Sequence, residues 1–130
     1  MVIVYLDTSV AMKLLVEESR SVKAASFLSA ASGNGDIIIS SMLLFTELHC
    51  AANRRSEIPR ESVNELLQLI DLIDVTRSDF LYAAAMPGHL RSGDAIHLAA
   101  AIRAEADRIA TYDKELSDAA RTAGLATIAP

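Results

Sequence analysis

Cysteine occurs once in this chain, at Cys50, and tryptophan does not occur at all. A single thiol excludes an intrachain disulfide and a thiolate zinc cluster, and it fits a reducing compartment. Three Phe and three Tyr leave an interior that must be aliphatic and Ala-rich, since hydrophobic residues still make up 52% of the chain. Tyr5, Phe27, Phe45, Phe80 and Tyr82 read as core or interface positions, not as base-stacking platforms. Positive charge is short as well: 12 Lys and Arg stand against 17 Asp and Glu, a net charge of -5. Such a chain does not hold nucleic acid by bulk charge; a polyanion needs a local basic groove, a metal ion, or both. Long apolar runs are absent too. "VIVYL" (2–6) stops at Asp7 with no basic segment before it, too short for a signal peptide. "AIHLAAAI" is bounded by Asp94 and Arg103, far below the ~20 residues of a membrane span. The expectation is one domain over residues 1–130, cytoplasmic and without a membrane partner.

What is present is alternation. "VIVYL" (2–6) reads as a buried strand, followed by a short helix over 9–16 and another over 19–31. "SGNGD" (32–36) is a turn signal, and "IIIS" (37–40) a second β-branched strand. "MLLFTELHCAANRR" (42–55) reads as a helix. "IPRESVNELLQLIDLI" reads as the next, with Pro59 in its first turn and Val63, Leu66, Leu67 and Ile70 on one face. "IDVTR" (73–77) is a candidate short strand, and 78–86 a helix stopped by Pro87-Gly88. A nearly all-apolar helix over 92–106 reads as central. A strand over 108–113, a helix closed by Gly124 and a last strand, "LATIA", complete the chain. Strands alternating with helices predict a parallel sheet covered on both faces, with function beyond the carboxyl ends of the strands. Asp7 and Asp113 each end a predicted strand.

Each acid has an ordinary reading. Asp7, Asp94 and Asp113 all stand where a helix begins, and Asp is a preferred N-cap, although Thr8, Ser9 and Ser92 offer competing caps. Glu47 differs, because Leu43, Leu44, Cys50 and Ala51 are its neighbours one turn away on a helix. A carboxylate in an apolar stripe is costly unless a cation relieves it, either an Arg or Lys partner or a metal. Jointly, four converging carboxylates would repel by about 3 kcal/mol per pair at ~5 Å and an effective dielectric near 20. Several such pairs would rival a domain's whole stability of ~5–15 kcal/mol. A proton or divalent cation must then relieve the cluster, and an all-oxygen set suits Mg²⁺ or Mn²⁺.

"VYLDTSVAMKLL", "LFTELHCA", "LRSGDAIHLAAAI" and "TYDKEL", in this order and across nearly the whole chain, resemble the PIN-domain family, and its VapC-type toxin branch in particular. The resemblance implies a three-layer α/β/α sandwich with a mainly parallel, about five-stranded sheet. It implies metal-dependent endoribonuclease activity with one or two Mg²⁺ or Mn²⁺ ions. It also implies neutralisation by a VapB-like antitoxin, with a homodimer growing to a heterotetramer or larger in that complex. The catalytic quartet it carries over is Asp7, Glu47, Asp94 and Asp113. By the same resemblance Asp7 and Asp94 would be the first metal ligands, Glu47 and Asp113 would complete the set or steer water, and Thr8, Ser9 and Thr111 would orient the carboxylates or metal-bound water. One departure is Gly93, where many relatives carry a bulkier apolar residue before the third acid; it bears on the rigidity of the helix start.

Phosphate contacts would have to come from Lys13, Arg54, Arg55, Arg60 and Arg91, with Arg91 favoured for standing three residues before Asp94. The same residues also read as ordinary solvated charges at helix ends. His97 reads as an inward, hydrogen-bonded histidine, and Cys50 as a packing residue. Haloacid-dehalogenase-like phosphatases need a second acid two residues after the first, where this chain has Ser9. A receiver domain would want further acids before its first strand's Asp, and "GNGD" lacks the Lys-Ser/Thr of a phosphate loop. The remaining alternative is a PIN-like RNA-binding or interaction module without nuclease activity. The helices near 19–31 and 42–52 are the candidate docking and dimer faces.

Overall fold

The computed structural model describes residues 1–16 and 21–130. At its centre runs β1 (Ile3–Leu6), whose alternating side chains serve two cores. Val4 and Leu6 face one, and Tyr5 faces the other. On the Val4 face lie α1 (Thr8–Leu15), α2 (Ser21–Gly33), α3 (Met42–Arg54) and α4 (Arg60–Leu67). They contribute Val10, Ala24, Leu44, Leu48, Val63 and Leu66 to that core. On the Tyr5 face, α6 (Ser92–Arg103) and α7 (Lys114–Thr122) contribute Leu98, Ala101, Leu116 and Ala120. The sheet between them has five parallel strands in the order β3-β2-β1-β4-β5, with β2 at Ile37–Ser41, β3 at Asp71–Ile73, β4 at Arg108–Ala110 and β5 at Ala126–Ile128. The parallel sheet covered on both faces that the alternation predicts is therefore found, in the three-layer α/β/α form that the resemblance implies.

Tyr5 pairs with Ile39 of β2 on one side and Ile109 of β4 on the other, so all three central strands end at one edge. Strand order reverses between β1 and β4, which opens a crevice at that edge. Asp7 lies in it, its amide bonded to the Ala110 carbonyl at 3.1 Å. No helix among the described residues is long and apolar enough to cross a membrane.

Several boundaries differ from those expected. The strand sought at 73–77 is Asp71–Ile73, and Thr76 instead caps α5 (Arg77–Ala85) through a complete capping box with Asp79. The helix after Ile58 therefore ends at Leu67, and Pro59 is its N-cap residue. β4 stops at Ala110, well before Asp113, because Thr111 and Tyr112 turn the chain into α7. α6 stops at Arg103, beyond which Glu105 takes a positive φ of 55°. The helix expected over 19–31 begins at Ser21; residues 19 and 20 lie outside the described residues. Cys50, expected to pack, is exposed.

Candidate active site

Because β1 passes directly into α1, Asp7 becomes the N-cap of that helix, and its Oδ1 accepts from the Ser9 amide. Oδ2 accepts from the Thr111 hydroxyl. Only 2% of Asp7 is exposed, so burial pushes its carboxyl above the ordinary value, and the bonds from Thr111 and Ser9 offset part of that rise. Thr111 Oγ1 in turn accepts from the Asp113 amide at 3.0 Å, and Ser9 Oγ accepts from the Tyr112 amide at 2.8 Å. Asp113 caps α7 by accepting from the Leu116 amide at 2.8 Å. The capping reading is thus correct for Asp7 and Asp113, and it is the means by which two helix starts bring their carboxylates to one edge. It is not correct for Asp94, which sits inside the first turn of α6 after Arg91 as N-cap residue.

Glu47 reaches the same edge from α3. Its Oε1 accepts from Thr8 Oγ1 at 2.7 Å and lies 2.6 Å from His97 Nε2. The apolar stripe around it overstates its burial: the side chain is 34% exposed, and its partner is His97, not an Arg or Lys. Burial would raise its proton affinity, but His97 and Thr8 hold the carboxyl below its usual range. Behind Glu47, His97 is 1% exposed, and the Tyr5 hydroxyl lies 2.7 Å from its Nδ1 and 3.0 Å from Ser41 Oγ. Tyr5 is pushed up to about 12, first by burial and further by the charges of Asp7 and Glu47, against the hydroxyls of Ser41 and Ser40.

Asp94 receives no side-chain hydrogen bond among the described residues. It is pushed up to about 6 by burial, then by Asp113, Asp7 and Glu47, with His97 acting in the other direction. Asp94 therefore feels the charges of the other three acids.

A model of the PIN domain matches residues 4–122. The chain belongs to the PIN-domain family. Ribonuclease VapC46 of Mycobacterium tuberculosis is 36% identical to it over 133 residues, covering all of this chain and 99% of that protein. Ribonuclease VapC47 of the same species is 35% identical, covering 98% of this chain and 96% of its own length. In structure, the chain resembles VapBC2 from Rickettsia felis, solved bound to a DNA fragment from its promoter, with a TM-score of 0.78 at 14% identity and 97% coverage of each chain.

Within this PIN domain the acids do not form a ready ligand set: among the described residues, no three carboxylates or histidines are gathered in the manner of a metal site. Most of the placed oxygens are taken by protein donors, as just described. What the protein leaves unpartnered among the described residues is Glu47 Oε2, the Asp94 carboxylate, the second oxygen of Asp113 and one lone pair on each oxygen of Asp7. That is hard, all-oxygen chemistry, and the raised Asp94 carboxyl shows that positive charge there would be welcome.

The cations are more scattered than the acids. Arg91 stands exposed at the start of α6 and Lys13 lies in the last turn of α1, while Arg54 lies in the last turn of α3. Arg55 is bonded to Glu57 at 2.7 Å and Arg60 to Asn53, both at the corner between α3 and α4. His97 was legible as an inward histidine. Its bond to Glu47 and the Tyr5 and Ser41 hydroxyls behind it carry no spacing signal, because their partners lie far away in the chain.

Proposed function

We propose that this PIN domain is a divalent-metal-dependent endoribonuclease and the toxin of a type II toxin–antitoxin pair. The observation that supports the reading is the placement of four acids at one sheet edge: Thr111 links Asp7 to Asp113, and Glu47 Oε2 lies beside Gly93, the neighbour of Asp94. Full-length likeness to two proteins named ribonucleases supports the reaction class. Likeness in fold to VapBC2 and to a toxin–antitoxin complex from Klebsiella pneumoniae supports an antitoxin partner, and dimers and larger assemblies are the forms the resemblance implies. Asp7 and Asp94 would hold Mg²⁺ or Mn²⁺, with Glu47 and Asp113 completing one or two sites. Such an ion supplies charge neutralisation at the scissile phosphate and a more acidic water. The chain's own part is to hold the carboxylates fixed: Thr111 and Ser9 orient Asp7, and Thr8 and His97 orient Glu47. Arg91 and Lys13 would contact RNA phosphates.

The decisive measurement is total RNA incubated with purified protein and Mg²⁺ or Mn²⁺, with cleavage ends mapped. Asp7→Asn keeps a cap for α1 while removing the charge, so it should fold normally and lose cleavage by at least about 100-fold. An Asn variant that cuts as fast as wild type would remove Asp7 from the site. Wild-type protein that binds RNA but leaves it intact would establish the non-catalytic module instead.

A further inference from the structure

We propose that His97 is a positioning residue for cleavage, dividing the two oxygens of Glu47 so that the protein holds Oε1 and the site receives Oε2. The proposal rests on the nuclease reading above. Oε1 already has two neighbours that donate, Thr8 Oγ1 at 2.7 Å and His97 Nε2 at 2.6 Å. A carboxylate only accepts, so Nε2 carries a hydrogen toward it. Oε2 has no donor among the described residues, and the space beside it is left by Gly93: a Cβ there would stand 3.3 Å from Oε2. The residue after Gly93 is Asp94, so the free oxygen of Glu47 opens at the turn that carries a second acid.

Glu47 needs such a guide. A half-exposed Glu loses up to about 2 kcal/mol of rotamer freedom on being fixed. His97 is itself fixed from behind, since the fully buried Tyr5 hydroxyl lies 2.7 Å from Nδ1 and also bonds Ser41, the N-cap of the helix that bears Glu47. The chain of contacts Ser41–Tyr5–His97–Glu47–Thr8 thus runs from the end of β2 through β1, α6 and α3 to α1. Core packing alone would not place a polar ring between a buried phenol and a carboxylate that still reaches solvent.

The test compares His97→Leu, His97→Gln and Tyr5→Phe in the full chain by thermal unfolding, by Mn²⁺ binding without RNA in a calorimeter, and by kcat and KM on RNA. His97→Leu should lower kcat about 10–100-fold with KM nearly unchanged, and weaken Mn²⁺ binding by about tenfold or more. His97→Gln, whose side-chain N–H can reach Oε1, should recover most of both while remaining as thermally weak as the Leu variant. Tyr5→Phe should show the same kcat-selective loss in milder form. Leu and Gln variants that fall together with thermal stability, or a Leu variant with wild-type kcat and Mn²⁺ affinity, would overturn the proposal. If His97→Leu does not fold, Tyr5→Phe decides, and wild-type kcat and Mn²⁺ affinity in that variant overturn it. Wild-type protein that binds Mn²⁺ but cuts no RNA sinks the nuclease reading, while the Mn²⁺ comparison still decides on His97.

Discussion

Asp94 is the acid that the protein helps least. Asp7 has Thr111 and Ser9, Glu47 has Thr8 and His97, and Asp113 has the start of α7, while Asp94 faces the other three with its ordinary value displaced to about 6. A carboxyl raised in the folded state binds protons more readily than in the unfolded chain. Its contribution to stability therefore falls as pH rises from about 4 to 6, and the penalty persists above. Glu47, held below its usual range, acts oppositely: it stabilises at neutral pH and loses that contribution as pH falls through its folded value. Comparing Asp94→Asn with wild type at the same pH isolates the first effect. Without metal, the Asn variant should be more stable than wild type by about 1–2 kcal/mol near pH 7.5, allowing for solvent screening of a partly exposed group. The advantage should shrink to a few tenths of a kcal/mol near about pH 4 and vanish below about pH 3, where both states of Asp94 are protonated. Urea unfolding in chelator at the two pH values measures this; a variant less stable than wild type near pH 7.5 would show that the acids do not crowd Asp94.

α5 hangs on α6 through one buried carboxylate. Asp79, 2% exposed, accepts from the Thr76 amide at 2.9 Å to close the capping box and from Arg103 Nε at 2.8 Å, while Arg103 Nη2 donates to the Asp74 carbonyl at 2.7 Å. Burial works against the charge, but Arg103 and the Thr76 amide keep the Asp79 carboxyl below its usual range. Arg103→Met keeps the aliphatic stem and strips the guanidinium, leaving a buried charge with only its cap donor. It should cost about 2 kcal/mol in denaturant unfolding, toward the low side for a broken buried pair because Arg103 is 39% exposed. The folded fraction should keep its kcat, since Arg103 lies at the opposite end of α6 from Asp94; a cost below about 0.5 kcal/mol would mean that α5 is held by its apolar contacts alone. This pair also marks where sequence reading stops. β1, β2 and the helices with long apolar faces were legible because burial repeats at a fixed period along them. β3 was not, because Asp71–Ile73 is a short, half-exposed edge strand whose residues continue the helical spacing of Val63, Leu66 and Ile70. The four acids were legible because each follows an element boundary or interrupts an apolar stripe. The chain of Ser41, Tyr5 and His97 was not, because such bonds depend on which residues the sheet order makes neighbours.

At the scale of the whole molecule, the question is what the chain gains by concentrating negative charge in a protein that already carries a net charge of -5. A pocket of this kind does not attract RNA; it repels phosphate until a cation enters. On the proposed reading, occupation by metal and acceptance of substrate would be coupled, and the ligand that permits chemistry would also relieve the fold. Mn²⁺ at about 100 times its dissociation constant should stabilise the protein by about 2.7 kcal/mol, a rise in Tm on the order of 10 °C for a chain of this size. Sodium chloride at matched ionic strength should not reproduce it, because screening acts weakly on partly buried charges. The double variant Asp7→Asn, Asp94→Asn should begin with a higher metal-free Tm and respond to Mn²⁺ by no more than a degree or two, since two of the four acids that favour the cation are gone. Scanning calorimetry of both proteins, with and without Mn²⁺, separates the outcomes. An equal Mn²⁺ shift in wild type and double variant would place the ion elsewhere on the acidic surface and leave the quartet without its role.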